Sequence, residues 1–149
     1  MRKQVGHRPL ILVGATIMVL NSQGEILLQH RSDTNDWGLP GGSMDMGERL
    51  EETARRELLE ETGLRAEQLQ FLEALSGPEW YYRYPNGDEV YNVIILYFAK
   101  EVSGSLAMTD GESIGLRYFP LDGLPKLEKR AGLILMSWKD RLPTLVRSP

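Results

Sequence analysis

Apolar and polar residues change rhythm several times along this chain. Residues 10–20 (LILVGATIMVL) are dominated by Ile, Val and Leu, Asn21-Ser22-Gln23-Gly24 interrupts them, and a second apolar run resumes at 26–28. That order predicts a strand, a tight turn and a returning strand. Residues 32–47 are rich in Asp, Asn, Gly and Ser and contain Pro40, which predicts an exposed loop. From 48 to 62 the period becomes helical: Leu50, Ala54 and Leu58, with Leu59, form an apolar stripe, and Gly63 stands where a helix ends. Residues 69–75 read as a strand. Residues 79–84 and 89–99 flank Pro85-Asn86-Gly87-Asp88, a hairpin signal because Asn and Gly tolerate positive φ. A short strand at 115–119 and a Pro-bounded turn lead to a helix over about 126–141. Several strands around two helices in mixed order predict an α/β or α+β sandwich. No repeat, low-complexity tract or linker breaks the pattern, so residues 1–149 are expected to form a single domain.

Composition narrows the chemistry. The 42% hydrophobic and 26% charged residues are those of a soluble globular chain. The formal charge of -4 argues against a general nucleic-acid binder, and no nucleic-acid partner is expected. There is no cysteine, and His7 and His30 are too few for a histidine-rich zinc site, so any metal must take oxygen ligands. The basic start and following apolar run continue into strand-like sequence without a cleavage pattern, and no apolar stretch is long enough to span a bilayer. No membrane association and a cytoplasmic location are the expectations.

The stretch WGLPGGSMDMGERLEETARRELLEETGL (residues 37–64) carries the candidate site. On a helix Glu57, Glu60 and Glu61 share a side, where like charges three and four residues apart cost a few tenths of a kcal/mol per pair and the C-terminal macrodipole adds to the penalty. A cation between them would compensate, and clustered carboxylates suit Mg²⁺ or Mn²⁺ with a phosphate completing the shell. The alternative is a solvated acidic face with ion pairs such as Glu52 with Arg56. Gly41 and Gly42 let the backbone approach a phosphate or metal, or else form an ordinary turn after Pro40.

Both features fall in one frame: Gly42, five residues, Glu48, seven residues, Arg56-Glu57-Leu58, one residue, Glu60-Glu61, one residue, Gly63-Leu64. This resembles the Nudix hydrolase family, whose box is G-x5-E-x7-R-E-U-x-E-E-x-G-U with U aliphatic; every specified position is matched over residues 42–64. The resemblance implies a Nudix-type α/β/α sandwich around a central mixed β-sheet. It also implies Mg²⁺-dependent hydrolysis (Mn²⁺ as substitute) of a pyrophosphate bond in a nucleoside diphosphate linked to another moiety, such as ADP-ribose, a dinucleoside polyphosphate or a (d)NTP. Glu57, Glu60 and Glu61 would bind the metal, with a backbone carbonyl of Gly41 or Gly42 as a further ligand. Arg56 would orient a glutamate through a charge-assisted hydrogen bond, and Glu48 would support Arg56 rather than bind metal. The proton acceptor would be a box glutamate or Glu112 in the later loop, a residue that also reads as part of a solvated acidic turn.

Outside the box the substrate signals diverge. Pro78 lies about where ADP-ribose pyrophosphatases of the family carry a proline, and Tyr81 or Tyr82 about where dinucleoside polyphosphate hydrolases carry a tyrosine. The run Trp80-Tyr81-Tyr82-Arg83-Tyr84 would stack a base through Tyr81 and hold a phosphate through Arg83, or pack into the core or a homodimer contact. Arg31 is another candidate phosphate contact, while His30 reads as a strand-end residue. A small nucleotide is the expected partner. A catalytically weak nucleotide-sensing module and an RNA 5′-pyrophosphohydrolase are the alternatives.

Overall fold

A computed structural model describes residues 9–32, 34–84, 86–107 and 113–146. Side-chain alternation along β1 (Leu10–Met18) and β7 (Glu89–Gly104) sorts the core into two layers. Ala15, Ile17, Tyr97 and Ala99 face Ala54 and Leu58 of α1 (Leu50–Thr62), whereas Met18, Ile94, Leu96 and Phe98 face Ile134, Leu135 and Trp138 of α2 (Lys129–Trp138) and Leu142 of α3 (Leu142–Val146). The sheet between them is therefore covered on both sides, as an α/β/α sandwich requires.

This central sheet has the order β4-β1-β7-β5, with β4 (Gly41–Ser43), β5 (Leu64–Leu75) and, beside β7, β6 (Tyr81–Arg83). β1 and β7 run parallel and the other pairs antiparallel, so the sheet is mixed. A second, antiparallel sheet joins β3 (Trp37–Gly38), β2 (Ile26–Arg31) and β8 (Ser113–Phe119) in the order β3-β2-β8. Among the described residues no helix is long and apolar enough to cross a membrane.

Several expectations need correction. The turn after β1 forms, with Asn21 Oδ1 accepting from the Gln23 and Glu25 amides and Gly24 at φ 76°. Its arms pair only at Leu20 and Ile26 before entering different sheets. The segment 32–47 is not simply an exposed loop: it contains β3 and β4, and Gly38 and Pro40 are buried. Leu59 is 36% exposed, outside the apolar stripe. β5 begins at Leu64, directly after the helix, rather than at 69. The Asn-Gly hairpin forms, with Gly87 at φ 93°, although residues 78–80 make a 3-10 turn (Pro78–Trp80) rather than strand. The last helix is shorter than expected because it breaks after Trp138, and α3 follows as a third helix.

Candidate active site

The site begins as a tight turn ahead of α1. The Glu48 amide donates to Asp45 O at 3.1 Å, and Gly47 takes φ 80°. The helix starts at Leu50 rather than at Glu48, since Arg49 has extended φ and ψ and its amide donates to Glu52 Oε1 at 2.7 Å. That leaves the Glu48 carboxylate beside the first turn, accepting from the Asp45 amide at 3.0 Å and Thr53 Oγ1 at 2.7 Å.

Arg56 grips Glu48 from two turns along. Its Nε donates to Glu48 Oε2 at 2.7 Å and its Nη2 to Oε1 at 3.0 Å, a bidentate pair in place of the Glu52 pairing considered from sequence. Nη1 reaches Glu57 Oε1 at 2.9 Å and Glu60 Oε2 at 3.5 Å, while Nη2 also donates to Ser43 O at 3.0 Å. The guanidinium, helped by the Asp45 amide and Thr53, holds the Glu48 carboxyl down to about 2. Glu48 in turn pushes the Arg56 pKa above its ordinary value, so the pair stays ionised.

The three box acids occupy different environments. Glu61 is 5% exposed, its Oε1 accepts from Gln29 Nε2 at 2.6 Å, and the Gly41 amide approaches Oε2 at 3.3 Å. Burial first, and the neighbouring Glu57 carboxyl next, push the Glu61 pKa up to about 10. Glu57 is nearly enclosed, and a Cβ on Gly42 would lie 2.5 Å from its Cδ, so only glycine leaves room for that carboxylate against the strand. The Glu60 side chain is 51% exposed on the outer flank. The Gly42 carbonyl oxygen fills the space that a Gly14 side chain would need.

As the side chains stand, no three acidic or histidine groups among the described residues are close enough together to hold a metal ion. The donor set still suits a divalent cation. A buried carboxyl beside another acid resists ionisation, and a cation supplies the charge that otherwise only a shared proton supplies. Bringing Glu60 into the same group requires its 3.5 Å contact with Arg56 to give way.

Gly41 and Gly42 also form one wall of an open, solvent-filled cleft. Arg31, Asn92, Glu128 and Arg130 line it, together with the apolar Leu39, Ile94 and Ile134. Asn92 Nδ2 donates to the Trp80 carbonyl at 3.0 Å; a carbonyl only accepts, so the amide orientation is fixed. Glu128 caps α2 by accepting from the Ala131 amide at 3.2 Å and pairs with Arg130 at 2.8 Å. Burial pushes its carboxyl up, but the Arg130 guanidinium and the backbone amides of Arg130 and Ala131 outweigh that and hold it below its usual range.

Of the substrate contacts expected from sequence, Arg31 reaches this cleft; Tyr81 and Arg83 do not line it. Tyr81 packs on Tyr91 at 5.2 Å, Trp80 is buried in the core, and Pro78 opens the 3-10 turn. His30 stacks on Trp37 at 4.7 Å, a structural placement. Glu112 lies outside the described residues. Asn92, Arg130 and Gln29 were not singled out from sequence, because only strand pairing and the packing of α2 bring them to the site.

The fold and the site define a class first: an α/β/α protein with clustered carboxylates on one helix beside a cleft lined by Arg31 and Arg130. Residues 11–137 match the family model described as NUDIX domain. A Bacillus subtilis (strain 168) relative named "Putative 8-oxo-dGTP diphosphatase" is 40% identical over 113 residues, 75% of this chain and 68% of that one. An RNA pyrophosphohydrolase of Novosphingobium aromaticivorans is 46% identical, but over 34% of each chain. The crystal structure of a MutT NUDIX hydrolase from Burkholderia pseudomallei aligns with TM-score 0.72 and 29% identity, covering 88% of this chain and 98% of that one. The chain belongs to the NUDIX family, pyrophosphate-cleaving hydrolases that generally use divalent cations.

Proposed function

We propose that this protein, as a single domain, is a Mg²⁺-dependent hydrolase, with Mn²⁺ as substitute, that cleaves a phosphoanhydride bond in a nucleoside diphosphate linked to another moiety. The observation that carries the reading is the double use of Gly41 and Gly42: this stretch of β4 meets the Glu57 and Glu61 carboxylates and also walls the cleft. An anion in the cleft is thereby brought to the acids. Among the candidate substrates, a nucleoside triphosphate is favoured, because the Bacillus subtilis relative matches most of this chain and the residues Pro78 and Tyr81 that suggested other substrates lie off the cleft.

Glu57, Glu60 and Glu61 hold the cation, with a Gly41 or Gly42 carbonyl as a further ligand. When bound, the cation neutralises the diphosphate and lowers the pKa of the attacking water. Arg56 keeps Glu57 in place. Arg31 and Arg130 supply positive charge to the phosphates, and Asn92 offers its Oδ1 to the base. Water attacks phosphorus, its proton passes to a carboxylate, Glu57 or Glu60 of the box or Glu112, and the phosphate-bearing leaving group departs without a covalent enzyme intermediate. Two copies of the chain could meet through the aromatic hairpin, where Tyr82, Tyr84 and Tyr91 are exposed.

Replacing Glu57 with Gln tests the assignment. Mg²⁺-dependent kcat is expected to fall by about 100-fold or more, since the acid serves the reacting centre. Full turnover would sink it. Glu112→Gln separates the proton acceptors: a loss of orders of magnitude assigns the role to Glu112, and near-normal turnover returns it to the box.

A further inference from the structure

Gln29 is a fully buried polar residue in β2, 32 positions away from the acid it contacts. Along β2, Ile26 and Leu28 face α2, whereas Leu27 joins the layer under α1. Gln29 shares the face of Leu27 by strand alternation, which points its amide at the last turn of α1. There Nε2 donates to Glu61 Oε1 at 2.6 Å, well inside the Gly41 amide's 3.3 Å approach to Oε2.

We propose that Gln29 is a positioning residue for the cation: it fixes Glu61 Oε1 so that the carboxylate presents its remaining acceptor capacity toward Glu57. This rests on the reading of Glu61 as a metal ligand given above. The residue type matters. An amide stabilises an ionised carboxylate by hydrogen bonding without bringing a positive charge, whereas Lys or Arg at 29 would compete with the cation for the same acid. Arg56 already supplies the positive charge on the other flank, to Glu48, Glu57 and Glu60. Gln29 thus does for Glu61 what Arg56 does for Glu57 and Glu60, while leaving the charge of Glu61 for the ion. Orienting partners of metal ligands commonly change affinity by about 10–100-fold when removed.

The test is direct Mn²⁺ titration of the whole protein, followed by electron paramagnetic resonance of free Mn²⁺ with no nucleotide present. Gln29→Met keeps the length and removes the donor, and Gln29→Asn keeps an amide that is too short to reach; the second is read if the first does not fold. The expected result is Mn²⁺ affinity weakened by about 10-fold or more, with little further weakening when the same change is made in a Glu61→Gln background, because both act through one carboxylate. Wild-type Mn²⁺ affinity in a folded Gln29 variant, or equal losses in both backgrounds, would overturn the inference and leave the cation site standing. If the wild-type protein itself bound no Mn²⁺, the metal reading beneath it would fall as well.

Discussion

At the scale of single residues, Arg56 and Glu48 show how the site tolerates so many acids. One guanidinium contacts Glu48 through two nitrogens and reaches Glu57 and Glu60 as well, so the acids on the outer flank are partly neutralised before any cation arrives. The sequence frame made this partner for Arg56 legible, since the eight-residue separation of Glu48 and Arg56 is part of the box. A pH dependence follows. The folded Glu48 carboxyl titrates at about 2, against an ordinary 4.5, so its contribution to stability is complete above about 4.5 and is lost as pH falls toward 2. Thermal unfolding of wild type and Glu48→Gln should therefore differ most near pH 6 and converge as the pH approaches 2. A gap that stays constant over that range would contradict the ion pair.

At the scale of elements, two glycines of the same box do different work. Gly63 ends α1 at φ 79°, and a Cβ there would also sit 2.5 Å from the Ser105 carbonyl oxygen, so backbone blocks it on both counts. Gly63→Ala should cost at least about 1–2 kcal/mol of stability, the penalty of a left-handed non-glycine residue. At Gly42 the nearest obstacles are the carboxylate atoms of Glu57, the movable end of a side chain. Gly42→Ala should thus fold with a melting temperature near wild type while kcat falls by about 100-fold, as expected for displacing a group at the reacting centre by about an ångström. Denaturation and steady-state kinetics on the two variants would check the contrast; equal destabilisation without loss of turnover at Gly42 would refute it.

The same elements show what a sequence reveals. The helix, its terminal glycine and the Asn-Gly hairpin are governed by neighbours within a few residues, and all were legible. The strands at Trp37–Gly38 and Gly41–Ser43 were not, because a segment rich in Gly and Asp becomes strand only through partners in β1 and β2. Gln29 escaped notice for the same reason: in the chain it is a polar residue at the end of an apolar run, and its role appears only where β2 packs beneath α1. The unequal exposure of Glu57, Glu60 and Glu61 was also hidden, since helical spacing gives a common side but not what covers it.

At the scale of the whole molecule, the two-sided packing of the central sheet places the acids of α1 and the N-terminal residues of α2 around the glycines of one edge strand, β4. Gly41 and Gly42 touch the Glu57 and Glu61 carboxylates and also wall the cleft, which is how a nucleotide held by Arg31, Asn92 and Arg130 would meet the cation. The most direct test is product analysis after incubating the purified protein with Mg²⁺ and a panel of (d)NTPs including 8-oxo-dGTP, ADP-ribose, diadenosine polyphosphates, nucleotide sugars and 5′-triphosphorylated RNA. A nucleoside triphosphate should be cleaved at an anhydride, with phosphate on both products and turnover that stops with chelator and returns with Mg²⁺. If every compound remained intact while one of them still raised the melting temperature, the chain would be a nucleotide sensor and the catalytic account would be wrong.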